Sequence, residues 1–464
     1  MKTFLSFVLL LLAAVVQAIS STGSRLLVVL NDPADKDKYS TFFGDLTERG
    51  YDLAFETPKS ESVSLFHLGE RSYDHVLLLP TRIKGLGPNL TPHKLIDFMN
   101  ANGNILIALS AENTVPSSIV SLLSELDIVL PSDRTGLVVD HFNYDASSAA
   151  DKHDVVLVPP PRPVREDIRA YFMPEDESTE PIAFPRGMGH ILGQSHLLNP
   201  VLKAPNTAYS YHPEDQPDSV EPTELFATGS QLGLVSTMQA RNSARVAVVG
   251  SAEMLTDEWF GAKVKKADGG EAVGTWNREF AKRVTGWTFK EIGVLRVNWI
   301  EHYLNEAGVP SESNPKIYRI KNNVTYTISL SEYAWDTWSP YIPPPADDIQ
   351  LEFSMLSPFH RLNLNPVDTT PDAATYSASF TLPDQHGIFN FLVNYKRPFL
   401  TNLEEKITVT VRHKAHNEFM RSWLITAAWP YLGGISATVI GFVAFCVVFM
   451  YSKPTDVSES KKKQ

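Results

Sequence analysis

Cysteine is almost missing from this chain: in 464 residues there is one, Cys446, inside an apolar stretch near the C-terminus. That excludes an intrachain disulfide, and outside that stretch it excludes a thiolate nucleophile or a thiolate metal site. Positive charge is also short. Lys and Arg number 41 against 53 Asp and Glu, a formal net charge of −12 with a pI near 5.6. A nucleic-acid partner, which would need a basic face, does not fit. Glycine-rich fingerprints are lacking as well. One apolar run is followed by Asn31-Asp32-Pro33-Ala34 and another by Ser110-Ala111-Glu112, so neither a dinucleotide loop nor a phosphate loop is supported. No Gly-x-Ser-x-Gly nucleophile elbow occurs.

Long apolar runs exist only at the two ends. Residues 431–451 carry no charge, which meets the roughly 20 residues a helix needs to cross a hydrocarbon core of about 30 Å. Trp429 and Tyr431 at one edge, and Tyr451 and Lys453 at the other, suit the headgroup zones. At the other end Lys2 precedes an apolar run, and Val16-Gln17-Ala18 is a small-residue cleavage site, so residues 1–18 read as a signal peptide. The spacing therefore predicts a type I membrane protein with the bulk of the chain lumenal. That body is long enough for two or three domains. After the span, residues 452–464 end Lys461-Lys462-Lys463-Gln464. Lys461 and Lys462 hold the positions of a dilysine endoplasmic-reticulum retrieval signal.

Within the body, residues 25–30 form a buried-strand pattern, and Tyr39, Phe42, Phe43 and Leu46 recur at helical spacing until Arg49-Gly50. Strand patterns follow at 51–56, 74–79 and 105–109. A helix is capped by Thr91 with Pro92 at its first position, and another runs over 116–126 before Ile128. Strands alternating with helices predict an open, mostly parallel α/β sheet. From 155 to 224 repeated prolines predict irregular and edge-strand structure. Pattern resumes at 233–238 and 245–249, then in a helix carrying Trp276, Phe280, Val284 and Trp287. Past Gly293 the period becomes two, as in Leu351, Phe353 and Met355, or Phe389, Phe391, Val393 and Tyr395. This predicts an antiparallel sandwich before the membrane.

Candidate sites are few. Open α/β sheets bind ligands beyond the carboxyl ends of their strands, which directs attention there. Arg186-Gly187-Met188-Gly189-His190 resembles half a glycine-rich loop, but no strand pattern clearly precedes it, and a tight turn is the simpler reading. Asp140-His141-Phe142-Asn143-Tyr144-Asp145 sets a histidine between acids, yet no second histidine or glutamate stands at metal-ligand spacing, and a structural use is favoured. Asn89-Leu90-Thr91 and Asn323-Val324-Thr325 are glycosylation sequons, of which Asn323 is favoured because Thr91 is claimed as a helix cap. In the span, Gly433, Ala437 and Gly441 form a small-residue stripe on which a partner helix could pack.

Several long segments together resemble the DDOST family: residues 234–246, 289–297 and 347–353, with His141-Phe142-Asn143-Tyr144-Asp145, Leu382-Pro383-Asp384 and Gly387-Ile388-Phe389. The resemblance runs from the first strand through the span. It implies an amidotransferase-like α/β head and a non-catalytic subunit of oligosaccharyltransferase, the endoplasmic-reticulum complex that moves a preassembled glycan from dolichyl diphosphate to Asn in Asn-x-Ser/Thr of nascent proteins. It further implies no catalytic residue, metal or cofactor in this chain. Those belong to a multi-spanning catalytic subunit known for a Trp-Trp-Asp-Tyr-Gly motif, and the nearest string here, Tyr333-Ala334-Trp335-Asp336-Thr337-Trp338, departs from it. A working amidotransferase would need a cysteine the head lacks. The expected partners are the other transferase subunits, membrane lipid, and the dolichol-linked donor or nascent chain. Expected boundaries are a signal peptide at 1–18, an α/β domain at 19–150, a proline-rich region completing it at 151–290, a sandwich at 291–413, a juxtamembrane segment at 414–429, the span at 430–451 and a cytosolic tail at 452–464. An endoplasmic reticulum–Golgi cargo or glycan-binding receptor would share this tail and topology, and a tethered hydrolase would share the topology.

Overall fold

The computed structural model describes residues 20–60, 62–162, 171–174, 180–211, 225–267, 269, 271–308, 310, 312–345, 347–419 and 427–451. The expected signal peptide, the dilysine tail and part of the juxtamembrane segment lie outside them.

Apolar runs at Arg25–Val29 (β1), Asp52–Glu56 (β2), His75–Leu78 (β3) and Asn104–Ala108 (β4) become strands, separated by helices at Ser40–Glu48 (α1), Pro92–Asn100 (α2) and, after β4, Ser117–Glu125 (α3). Leu198–Lys203 (β5), Gly233–Gln239 (β6) and Arg245–Val249 (β7) complete a seven-stranded sheet of order β5-β6-β7-β4-β3-β1-β2. Pairing is parallel from β7 through β4, β3 and β1 to β2. It is antiparallel where β6 and then β5 extend the β7 edge. The proline-rich region supplies one edge of this sheet, β5, in keeping with the edge-strand structure its prolines predict. Its Pro200 sits on the outermost strand, where a missing N–H costs no ladder bond.

Both faces of this sheet are covered, which is why its strands read as unbroken apolar runs. Leu26, Val28, Leu77 and Leu106 share a core with Phe42, Phe43 and Leu46 of α1 and with Phe280, Val284 and Trp287 of Asn277–Thr288 (α4). The alternate residues Leu27, Val29, Val76 and Ile105 pack instead with Leu95 and Phe98 of α2 and Leu122 and Leu123 of α3. The period of two along each strand sends successive side chains to opposite cores.

After α4 come two sheets of five strands each. The first carries Ile292–Leu304 (β8), Asn323–Ala334 (β10), Thr337–Pro340 (β11), Asn365–Thr369 (β14) and Ala374–Thr381 (β15). The second carries Ile317–Arg319 (β9), Gln350–Ser354 (β12), Pro358–Asn363 (β13), Gly387–Tyr395 (β16) and Leu403–Arg412 (β17). Pairing is antiparallel among β8, β10, β11, β14 and β15 and among β12, β13, β16 and β17. They share a core in which Tyr326 and Ile328 of β10 meet Phe353 of β12 and Phe389 and Phe391 of β16. β8 and β10, of 13 and 12 residues, are its longest strands, and the sequence pattern had singled out neither.

The α/β body and these sheets join at a polar seam. Arg245, wholly buried at the start of β7, donates to the carbonyls of Trp287 at 2.6 Å, Ile292 at 2.7 Å and Gly293 at 2.5 Å. Burial pushes its guanidinium down to about 9. Gly293 has φ +68°, and a Cβ there would stand 2.6 Å from the carbonyl oxygen of Phe399, so only glycine fits. The Trp335-Asp336 string is the turn between β10 and β11, both residues at positive φ as a two-residue hairpin turn requires. Trp335 packs on the core beside α4.

The remaining unit, residues 412–464, holds a 22-residue helix, Trp429–Met450 (α5), whose most apolar 18-residue window has a mean hydropathy of 2.3. At about 1.5 Å per residue it is long enough, roughly 33 Å, to cross a membrane. Gly433, Ala437 and Gly441 are all exposed on it, and a Cβ at either glycine meets nothing within 4 Å.

Candidate functional site: a polar cleft at the carboxyl ends of the parallel strands

Where β1, β3, β4 and β7 end, the chain leaves the sheet through Leu30, Leu79, Ser110 and Ala252, and these residues floor a cleft of about 430 Å³. The position is the one strand topology predicts for a ligand, because successive crossovers diverge there and leave a crevice. Its walls are polar. Asp257 accepts from the amides of Ser40 at 3.0 Å and Thr41 at 2.8 Å, capping α1 from across the cleft rim.

Arg186 enters from the end of a short strand, Ile182–Pro185, with φ +38°, a left-handed conformation rarely held by a branched-chain or long residue without cause. Its guanidinium reaches Glu253 at 2.6 Å and Glu112 at 3.6 Å. Burial pushes the Glu253 carboxyl up to about 7, even though Arg186 pulls the other way. Tyr39 projects beside them and is 8% exposed. Burial, with Glu253, Asp35 and Glu112 nearby, raises its phenol well above the ordinary range, so the hydroxyl remains a proton donor. The cleft thus presents fixed donors beside acceptors. Ser110, at the end of β4, accepts from the Glu112 amide at 3.2 Å.

The sequence-stated candidates fall elsewhere. A strand does precede Arg186-Gly187-Met188-Gly189-His190, contrary to the reading from sequence, but it runs into a packed turn. A Cβ on Gly187 would overlap Phe184 at 2.2 Å and one on Gly189 would meet Leu232 at 2.6 Å. His190 is buried against Ser236 and pushed down to about 4 by that burial. Arg186 alone of the string reaches the cleft.

Asp140 and Asp145 tie turns. Asp140 accepts from the Phe142 amide at 2.9 Å and from Thr207, and Asp145 from Ser147, Ser148 and the Lys265 amide. Burial works to raise both carboxyls, but these hydrogen bonds outweigh it and leave them below the ordinary range. His141 has a partner that spacing did not reveal: His153, 2.5 Å away between Nδ1 atoms, with the Tyr209 hydroxyl at 2.8 Å from Nε2. Among the described residues no group of three or more His, Cys, Asp or Glu is placed to hold a metal. Thr91 does cap α2, accepting from the Lys94 amide at 3.4 Å, with the sequon Asn89 beside it. Asn323 is exposed at the start of β10, where its side chain accepts from Thr381 at 2.6 Å.

The family of the OST48 N-terminal domain matches residues 17–291, and that of the OST48 middle domain matches residues 303–453. The wbp1 subunit of dolichyl-diphosphooligosaccharide–protein glycosyltransferase from Schizosaccharomyces pombe is 34% identical over 450 residues, 95% of this chain and 96% of its own. This chain belongs to the OST48 family.

The 48 kDa subunits of the same glycosyltransferase are similar, that of Danio rerio at 32% identity over 96% of both chains, and that of Arabidopsis thaliana at 30% over 96% of this chain and 97% of its own. A solved ThuA-like protein from Parabacteroides merdae, at 13% identity, aligns over 57% of this chain and 89% of its own with a TM-score of 0.26, too low to bear on the fold. The OST48 N-terminal match ends at Glu291, where α4 gives way to β8. Two of the segments that carry the family resemblance meet at that seam, and none lines the cleft. Arg245 is in one, its acceptors Ile292 and Gly293 in the next, and Asp347 of the third holds Tyr395 and Arg397.

Proposed function

We infer that this chain is a non-catalytic, single-span subunit of the endoplasmic-reticulum oligosaccharyltransferase complex, taking part in transfer of a preassembled glycan from dolichyl diphosphate to Asn in Asn-x-Ser/Thr. One observation carries the reading: the likeness to named subunits of that transferase spans both chains from end to end, 96% of one relative and 95% of this one. Both OST48 regions are present, along with an apolar helix of crossing length. The α/β body and paired sheets form the lumenal head and a membrane-proximal sandwich, with the head framing the lumenal face near donor or acceptor.

In this reading α5 anchors the chain in type I orientation, the stripe of Gly433, Ala437 and Gly441 packs on a helix of another subunit, and Lys461 and Lys462 return the chain to the endoplasmic reticulum. The multi-spanning catalytic subunit is a partner and supplies the chemistry. Extraction in mild detergent, affinity capture of the full chain and mass spectrometry tests this. Recovery with the transferase subunits is expected. Recovery with cargo proteins alone would replace the reading with that of a transport receptor.

A further inference from the structure

His141 and His153 meet at the two ends of one turn, away from the cleft. Their Nδ1 atoms face each other at 2.5 Å, with ring centroids 4.8 Å apart and ring planes at 78°. Each ring is held from another side as well. The Tyr209 hydroxyl stands 2.8 Å from His141 Nε2, and Tyr144 lies 3.9 Å from His153 between ring centroids. Tyr209 is brought there because Tyr209–Tyr211 pairs antiparallel with Leu137–Val139, the strand that leads into the turn. His153 takes φ +50°, a left-handed backbone uncommon outside glycine. His141 is exposed and His153 half-buried, so the facing nitrogens are at the surface.

Two converging imidazole nitrogens can share a proton or share a metal cation. When the Tyr209 oxygen accepts from Nε2–H, His141 keeps the Nδ1 lone pair toward His153, which is how an outer partner fixes the tautomer of a metal-binding histidine. Bonds of about 2.0–2.1 Å at tetrahedral angles set two nitrogens about 3.3 Å apart. Metal uptake thus opens the 2.5 Å gap by roughly 0.8 Å, a movement the exposed His141 ring can make. The local charge suits a cation, since residues 140–154 carry Asp140, Asp145, Asp151 and Asp154 against Lys152 alone. Among the described residues no group of three or more His, Cys, Asp or Glu forms a cage, so the remaining positions fall to water. Imidazole ligands select zinc, copper or nickel over calcium and magnesium, which require oxygen.

We propose that His141 and His153 form an exchangeable site for a divalent transition metal of the zinc class, held by the two Nδ1 atoms, with Tyr209 orienting His141 and water completing the coordination. The metal displaces the proton between the rings, which moves to Nε2. It then staples the two ends of the 141–153 turn in a body that has no cysteine outside α5 to form a disulfide. The inference rests on the geometry of this turn and is independent of the proposed function.

The test uses the full chain in mild detergent, stripped of metal with a chelator and then modified with diethyl pyrocarbonate, with mass spectrometry locating the acylated histidines. Zinc should slow modification of His141 and His153 severalfold and leave the exposed His67 unaffected, while magnesium at the same concentration should protect neither. Calorimetric titration with zinc then gives the affinity. His141→Gln and His153→Gln should each weaken it about tenfold or more, since losing even an outer partner of a metal-binding histidine costs about that much. Zinc should also raise the thermal unfolding midpoint of the parent more than that of either variant. No zinc protection of the pair, protection by magnesium equal to that by zinc, or zinc affinity in either variant equal to the parent's each overturns the proposal. The protection measurement is made on the unaltered chain, so it decides the matter even where a substitution disturbs the turn.

Discussion

Glu291 stands where the two halves of the body join, and removing its charge is the most informative perturbation the structure offers. Its carboxylate is fully buried and accepts from Arg49 Nη1 at 2.9 and 3.0 Å and from the Tyr51 hydroxyl at 2.6 Å. Arg49 Nη2 donates to Thr285 of α4 at 2.9 Å, and the Glu291 carbonyl accepts from the Trp335 amide at 3.0 Å. Glu291 and Arg49 together thus tie the end of α1, the start of β2, α4 and, through the Glu291 carbonyl, the β10–β11 turn. Glu291→Gln keeps the shape but strands the Arg49 cation, 8% exposed, without a counter-ion. The expected loss is about 3–5 kcal/mol, because a lone buried charge costs more than the pair contributes. Tyr51→Phe removes one hydrogen bond to a charged group and should cost about 1.5–3 kcal/mol. The double change Glu291→Leu with Arg49→Met removes both charges, and it should recover to within about 1 kcal/mol of the parent. Urea unfolding of the full chain in detergent, read by pulse proteolysis, measures all three. If Glu291→Gln loses under about 1 kcal/mol, or the double variant is no better than the single one, the reasoning about stranded charge is wrong.

Gly293→Ala meets both a positive φ and the Phe399 carbonyl, so a loss of about 1–3 kcal/mol is expected in the same assay, and an unaffected midpoint would contradict the close approach. His75 accepts from Asn104 and is pushed by burial from 6.5 down to about 3. The unfolded chain therefore binds a proton below about 6.5 that the folded one refuses, and stability falls as pH drops through that window by up to about 1.4 kcal/mol per unit for this group. Relative to the parent, His75→Gln should lose one proton's worth of that slope; parallel pH profiles would refute it. Changing Gly433, Ala437 and Gly441 together to Leu should weaken capture of partner subunits while leaving membrane insertion intact, and unchanged capture rejects the stripe. Glycosidase treatment should shift the mobility of the parent but not of Asn323→Gln, and a shift in that variant would transfer occupancy to Asn89.

Strands and helices of the α/β body were legible because each obeys one period. The apolar runs at β1, β3 and β4 could only be strands buried on both faces, and Thr91-Pro92 announced its helix through local capping chemistry. The antiparallel extension by β5 and β6 was not legible, since pairing direction is decided by which edge a distant strand meets. Nor was the His141–His153 contact, whose partners are brought together by the fold of the turn between them. The cleft shows the same division. Topology foretold where to look, but Tyr39, Arg186 and Glu253 come from three distant stretches and share no motif.

By itself the sequence determined the class of the body, the apolar helix and the exclusion of thiol chemistry, because composition and periodicity act through neighbours within a few residues. Only the tertiary structure decided that Arg245 and Glu291 clamp the junction and that Arg186 meets Glu253 and Glu112 in the cleft. Burial and hydrogen bonding between residues far apart in the chain set those properties, and no local pattern encodes the meeting of such residues.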